Sequence, residues 1–264
     1  MIVLQLLLYC LLFTAMVKIA VIGGAVNGLY FYPKEVQDRA IELGLIDRNT
    51  MNRKRKCFMI EDVHRAALRH EEQTITEENV NRWFASNYVS LTKTEHTYLA
   101  GPQREAALKQ VLRYVERQHG DWSAIQQAEV DVSLVKPDYI IEGKVDLIRG
   151  EGDTVEIVDF KAERKPDMEK MRDRLERYRR QLHIYAHLVE ERTGRKVSKM
   201  HLYYTGEDGG VPTITYPYTK SAVEGTLASF DDTVHKIMKK DFRHCADDPK
   251  VCAGCDFRFY CRNK

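Results

Sequence analysis

The apolar residues of this chain change their spacing at about Ala128, and few architectures accommodate both halves of the pattern. Upstream, residues 59–69, 77–88 and 103–118 carry apolar side chains at helical intervals. In the last of these they fall at Ala107, Leu108, Val111, Leu112 and Val115. Thr76 stands where it can cap the second helix. From residue 128 to 135 apolar and polar residues alternate, as they do on a half-buried strand. Lys136-Pro137-Asp138 then makes a turn, residues 139–148 form a second strand, and a glycine-containing loop at 149–153 leads to a third over 154–160. Strands this short and this close predict an antiparallel meander. The helical period returns over 168–192, with a stripe of Leu175, Tyr178, Leu182, Tyr185 and Val189 and with Gly194 to end it. A strand over 197–205, a flexible loop at 207–210 and a helix over 220–238 follow. Helices, then strands, helix, strand and helix predict an α/β core with an N-terminal helical part.

The 264 residues suit one domain with a short appendage. A hydrophobic share of 44% and a charged share of 30% exclude a disordered or collagen-like chain. The net charge of +2 rules out a basic field over the whole chain, so any affinity for nucleic acid has to be local. One stretch qualifies. From Lys161 to Lys199 there are 13 Lys and Arg against 7 Asp and Glu, including Arg172, Arg174, Arg177, Arg179 and Arg180. Such charge is either a solvated helix face or a track for a DNA backbone. No G-x-x-x-x-G-K-[ST] occurs, which leaves the chain without a P-loop motor, and Val21 to Gly28 lacks the G-x-G-x-x-G spacing and reads as a turn.

The six cysteines are Cys10, Cys57, Cys245, Cys252, Cys255 and Cys261, four of them in the last 20 residues. A secreted disulfide framework spreads its cysteines through a short chain, whereas these are bunched at one end of a mid-sized one. A metal or cluster site in a reducing, cytoplasmic compartment is expected. Cys252, Cys255 and Cys261 form a C-x2-C-x5-C core, with Cys245 or Cys57 as the fourth ligand and zinc or iron–sulfur as the occupant.

At the other end, residues 1–17 are uncharged. They admit three readings: a membrane anchor, a buried strand or helix, or an anomalous start left by truncation. The third is expected, and a membrane partner is not. Residues 35–43 have a helical pattern closed by Gly44, and Arg53 to Lys56 is a basic run of the solvated kind. The expected division is an atypical N-terminal segment, 1–56, and a domain over 57–264 that includes the cysteine motif at 245–261.

Chemistry concentrates around the second and third strands. Strand two carries Gly143 and Asp146, strand three carries Asp159 and Lys161, and the following helix carries Gln181 and Tyr185, four apart and so on one face. Residues two apart on a strand share a face, so Asp159 and Lys161 point to the same side, and a hairpin lets Asp146 approach them. Two carboxylates beside an ammonium suit metal-assisted phosphodiester hydrolysis, in which Mg²⁺ takes oxygen ligands and activates a water. The ordered set G-x-x-D, D-x-K, Q-x-x-x-Y resembles the PD-(D/E)XK nuclease superfamily in its RecB-like and Cas4-like branch, over roughly residues 60 to 261.

The resemblance implies a restriction-endonuclease-like core, a mixed central sheet flanked by helices. It implies a DNA exonuclease using Mg²⁺ or Mn²⁺, with Asp146 and Asp159 as ligands, Lys161 acting on the attacking water, and Gln181 and Tyr185 positioning the lysine and the DNA. It also implies a histidine on the first core helix as a further ligand. His64 is the candidate, in a stretch without the family's preceding glycine, and a core histidine is the other reading. The cysteine end resembles the 4Fe–4S motif of these nucleases, whose fourth ligand comes from near the N-terminus. A helicase or a CRISPR adaptation complex is the implied partner. The alternative is a DNA-binding or assembly module with a degraded site.

Overall fold

The computed structural model describes residues 60–95, 98–150 and 152–239. Three helices come first: α1 (Glu61–Leu68), α2 (Glu77–Glu95) and α3 (Gly101–Arg117). The Thr76 hydroxyl accepts the Asn79 backbone N–H at 3.3 Å, the expected cap of α2. That helix runs beyond the expected end at residue 88, because Val89 and Leu91 continue its apolar content without a breaker. The meander follows as β1 (Ile125–Val135), β2 (Ile140–Arg149) and β3 (Thr154–Lys161), with β1–β2 and β2–β3 both antiparallel. Helix α4 (Arg172–Thr193) then carries the chain back so that β4 (Lys196–Tyr204) pairs parallel with β3, and α5 (Lys220–Met238) closes the order. Gly194 ends α4 at φ 69°, a left-handed conformation that glycine adopts without a Cβ penalty.

A fifth strand, β5 (Thr213–Pro217), lies outside the expected pattern and pairs antiparallel with β4 at the sheet edge. Five residues ending in proline give too short an alternation to announce a strand, and pairing with β4 supplies what local propensity lacks. The sheet order is β1-β2-β3-β4-β5, a mixed sheet.

Two cores lie against the two faces of this sheet. Val130, Val145, Val155 and Ile157 pack with Leu182, Leu188 and Val189 of α4 and with Phe230 and Val234 of α5. Leu147, Val158 and Phe160 pack with Val63 of α1, Phe84 of α2 and Val111 and Tyr114 of α3. Along β3 the two cores alternate residue by residue, as a strand buried on both faces requires.

Among the described residues no helix is long and apolar enough to cross a membrane. The apolar run at 1–17, the expected helix at 35–43, the basic run at 53–56 and all six cysteines lie outside the described residues.

Candidate active site

The site begins where two strands part. Pairing between β2 and β3 runs through Arg149↔Glu156, Ile148↔Ile157 and Leu147↔Val158 and stops there. The next pair in register would be Asp146 opposite Asp159. Instead the strands fork, and the Asp146 carboxylate takes the part of a backbone acceptor, receiving the Phe160 N–H on Oδ2 at 2.7 Å. Strand β2 also changes face here. Val145 belongs to the α4 core and Leu147, two residues on, to the α3 core. Across from this wrench on β1, Glu129 has φ 53°, a backbone strain for a non-glycine residue, and its carboxylate is ion-paired with Lys144 at 2.9 Å.

Into the fork point the residues of β3 and α4. Asp159 and Lys161 are 5% and 4% exposed, and Asp159 Oδ2 faces Lys161 Nζ at 2.5 Å without accepting a hydrogen bond of regular geometry. Gln181 binds both: its Nε2 donates to Asp159 Oδ1 at 3.1 Å and its Oε1 accepts from Lys161 Nζ at 3.3 Å. The same Nε2 donates to the Tyr185 hydroxyl at 3.0 Å, the contact that four-residue helical spacing allows. Gly143 makes room for that tyrosine. A Cβ there would meet Tyr185 Cε1 at 2.8 Å, so only glycine lets the ring lie against β2.

The electrostatics are those of a cation site. Burial, and then the Asp159 and Glu129 carboxylates, hold the Asp146 pKa well above the usual carboxylate range, against the opposing pull of the Phe160 N–H and Lys161. For Lys161, burial works against the charged form, but Asp159, Tyr178 and Asp146 outweigh it and the pKa rises. Lys161 is therefore an ammonium and not a free amine. Tyr185 is held as a neutral phenol, its pKa raised by burial and then by the Asp159 and Asp146 charges. Two converging carboxylates, one strongly disfavoured as an anion and the other with an oxygen lacking a regular donor, fit a hard divalent ion with oxygen ligands.

Asp146, Asp159, Lys161, Gln181 and Tyr185 thus come together as the spacing predicts. His64 does not join them. It is 2% exposed in the α3 core, stacked on Phe160 with ring centroids 5.5 Å apart, and its Nε2 shares a 2.8 Å hydrogen bond with the Tyr114 hydroxyl. Burial lowers its pKa to about 3. Among the described residues no three His, Cys, Asp or Glu side chains gather as a metal-holding group.

Two residues at the site went unassigned from the sequence. Tyr178 reads there as one member of an apolar stripe, yet Lys161 Nζ lies 4.0 Å from its ring centroid. Arg174 belongs to the basic run, yet it is turned inward, pairing with Glu163 at 2.5 Å. The exposed arginines of that run are Arg172, Arg177, Arg179 and Arg180, the last two sharing Glu176 at 2.8 and 3.7 Å.

Comparison with known proteins points the same way. A short stretch of the chain is 40% identical over 65 residues to an ATP-dependent helicase/nuclease subunit of Carboxydothermus hydrogenoformans, covering 25% of this chain and 6% of that protein. The corresponding helicase/nuclease subunit of Pelotomaculum thermopropionicum is 35% identical over 83 residues, covering 30% of this chain and again 6% of the relative. Among solved structures, a Eubacterium rectale protein described as a candidate exonuclease is similar with a TM-score of 0.45 and 16% identity, over 71% of this chain and 73% of that one. At that level the likeness bears on neither substrate nor activity. The PD-(D/E)XK nuclease superfamily, in contrast, matches residues 59–262. The mixed five-stranded sheet with helices on both faces is the restriction-endonuclease-like architecture that goes with this match. By a match over most of its length, and with Asp146 and the Asp159–Lys161 pair at the fork of its sheet, the chain belongs to the PD-(D/E)XK nuclease superfamily.

Proposed function

We propose that the chain is a divalent-metal-dependent DNA exonuclease, working on DNA ends or single strands, alone or beside a helicase. The observation that carries this reading is the pair of carboxylates at the fork, Asp159 buried and Asp146 half-buried, with an ammonium 2.5 Å from the first. Asp146 and Asp159 would hold Mg²⁺ or Mn²⁺, whose chemistry when bound is to neutralise phosphate charge and to acidify a water. Every other part of the reaction falls to groups of the chain itself. The Phe160 N–H holds Asp146 in one orientation. Gln181 bridges Asp159 and Lys161 and ties both to Tyr185. The Lys161 ammonium donates to the attacking oxygen or to the phosphate, whose charge grows as the new P–O bond forms and the old one breaks. Its raised pKa supports a role in orienting the attacking oxygen and stabilising charge, with the proton of the attacking water passing to solvent.

His64 has the neutral imidazole that ligation requires. Its Nε2 is bonded to the Tyr114 hydroxyl, which leaves Nδ1 as the nitrogen for a cation. The exposed arginines of α4 support a path for the DNA backbone past the N-terminal half of that helix. A helicase partner is suggested by the names of the curated relatives, both ATP-dependent helicase/nuclease subunits. A 4Fe–4S cluster or zinc on Cys252, Cys255, Cys261 and either Cys245 or Cys57 would tie down the C-terminus, with no step of the hydrolysis passing through it.

The test is digestion of end-labelled linear DNA, comparing wild type with Asp146→Asn and Lys161→Arg in Mg²⁺, in Mn²⁺ and in EDTA. Metal-dependent loss of label by wild type, abolished in Asp146→Asn, is expected. A folded wild type that binds DNA but leaves it intact under all three conditions would replace the nuclease reading with that of a binding or assembly module.

A further inference from the structure

We infer that Tyr178 is a positioning residue for Lys161, acting through the face of its ring. Tyr178 stands three residues before Gln181 on α4 and is 5% exposed. Its ring centroid lies 4.0 Å from Lys161 Nζ, well within the range in which an ammonium is held by the negative face of an aromatic ring. The ring in turn is fixed at its far edge. Arg174 Nε donates to the Tyr178 hydroxyl at 3.0 Å, the hydroxyl donates to Glu163 Oε1 at 3.4 Å, and the Arg174–Glu163 pair closes the clamp at 2.5 Å. An ammonium has three N–H groups. Asp159 Oδ2 and Gln181 Oε1 face Lys161 Nζ from two directions, at 2.5 and 3.3 Å, and the Tyr178 ring faces it from a third.

The choice of a ring is physically specific. A carboxylate in the same place would draw the ammonium away from Asp159, and an aliphatic side chain would leave a buried charge facing hydrocarbon. A quadrupole holds the charge without offering a competing hydrogen-bond acceptor, so the N–H groups stay aimed at the fork. The stripe position that looks like ordinary core packing from the sequence is therefore also a seat for Lys161. Tyr178's part in the hydrolysis rests on the nuclease reading of Lys161; its hold on the ammonium does not.

The test uses the full chain with Tyr178→Phe and Tyr178→Leu. The phenylalanine keeps the ring and loses the clamp, whereas the leucine loses the ring. In DNA digestion with Mn²⁺, Tyr178→Phe is expected to keep kcat within about 3-fold of wild type. Tyr178→Leu is expected to lose about 30-fold, the rate equivalent of a desolvated cation–π contact, with KM for DNA and Mn²⁺ affinity unchanged. Equal kcat in the two variants, or a loss confined to KM, would overturn the inference.

A second readout needs no activity. In protein labelled with ¹³Cε-lysine, the Lys161 methylene protons, assigned from Lys161→Arg, should be shifted upfield by the ring in wild type and in Tyr178→Phe. An inactive wild type with that shift would sink the nuclease reading and leave the seat intact. An active wild type without it would do the reverse.

Discussion

Gly143→Ala is the sharpest perturbation the site offers, because it adds one methyl group and touches one side chain. The new Cβ would stand 2.8 Å from Tyr185 Cε1, where carbon atoms in contact settle at about 3.5–4.0 Å. The ring has to retreat by roughly 1 Å, and it is 2% exposed in a packed core. Overpacking of this kind costs about 1–3 kcal/mol, while replacing glycine within a strand returns about 0.5–1 kcal/mol. A net loss of about 0.5–2 kcal/mol follows, which in a domain of this size lowers Tm by about 1–8 °C. The effect on rate is larger. Tyr185 accepts the hydrogen bond that orients Gln181, and Gln181 is bonded to both Asp159 and Lys161, so the displacement passes to both. Misplacing reacting groups by about 1 Å costs on the order of 100-fold in kcat. The assay is thermal melting in EDTA together with DNA digestion, in wild-type and Tyr185→Leu backgrounds. With leucine at 185 the clash has no target, so Gly143→Ala should then gain about 0.5–1 kcal/mol, giving a coupling of about 1–3 kcal/mol. An equal Tm loss in both backgrounds, or an unchanged kcat in Gly143→Ala alone, would refute the steric reasoning.

Other outcomes follow from the charges and the cysteines. Asp146 has a pKa raised on folding, so it favours the folded state at pH values below the unfolded carboxylate range and loses that contribution as pH rises through the folded pKa. In EDTA, Asp146→Asn should therefore melt above wild type, by a margin that widens from about pH 5 to pH 8. Saturating Mn²⁺ should narrow or reverse that margin, and a constant margin across the range would count against the raised Asp146 pKa that burial and then Asp159 impose. Tyr114→Phe removes the partner of His64 Nε2 and leaves the edge-to-face ring contact in place. It should lower Tm by about 2–6 °C, the equivalent of about 1–2 kcal/mol for a buried imidazole left unsatisfied, and an unchanged melt would show that bond to be worthless. Purified anaerobically, the chain should contain either iron with acid-labile sulfide or zinc, measured by elemental and sulfide analysis. Cys255→Ser should lose it, and a metal-free wild type would remove the cysteine site from the account.

The parts of the site that rest on local spacing were legible. Asp159 and Lys161 share a strand face, Gln181 and Tyr185 share a helix face, and the meander brings Asp146 alongside. The parts that rest on distant partners were not. Gly143 owes its identity to a ring on α4, far along the chain, and nothing near it in sequence says so. His64 is turned from the fork by Tyr114, 50 residues away. Tyr178 has the same spacing whether it fills a core or seats an ammonium, because periodicity reports burial and not what is buried beside it. Strand β5 was missed because its order comes from β4 and not from its own residues.

The fork between β2 and β3 also makes one backbone amide a gauge of the site. The Phe160 N–H is bound to the Asp146 carboxylate, where an unforked ladder would offer it a peptide carbonyl. A peptide oxygen keeps its electron density under all ordinary conditions, but a carboxylate surrenders it to a proton or to a cation. The strength of that hydrogen bond therefore varies with what Asp146 is holding. The Phe160 amide resonance should move with every change in the charge state of the site, a chemical-shift thermometer built into the main chain of β3.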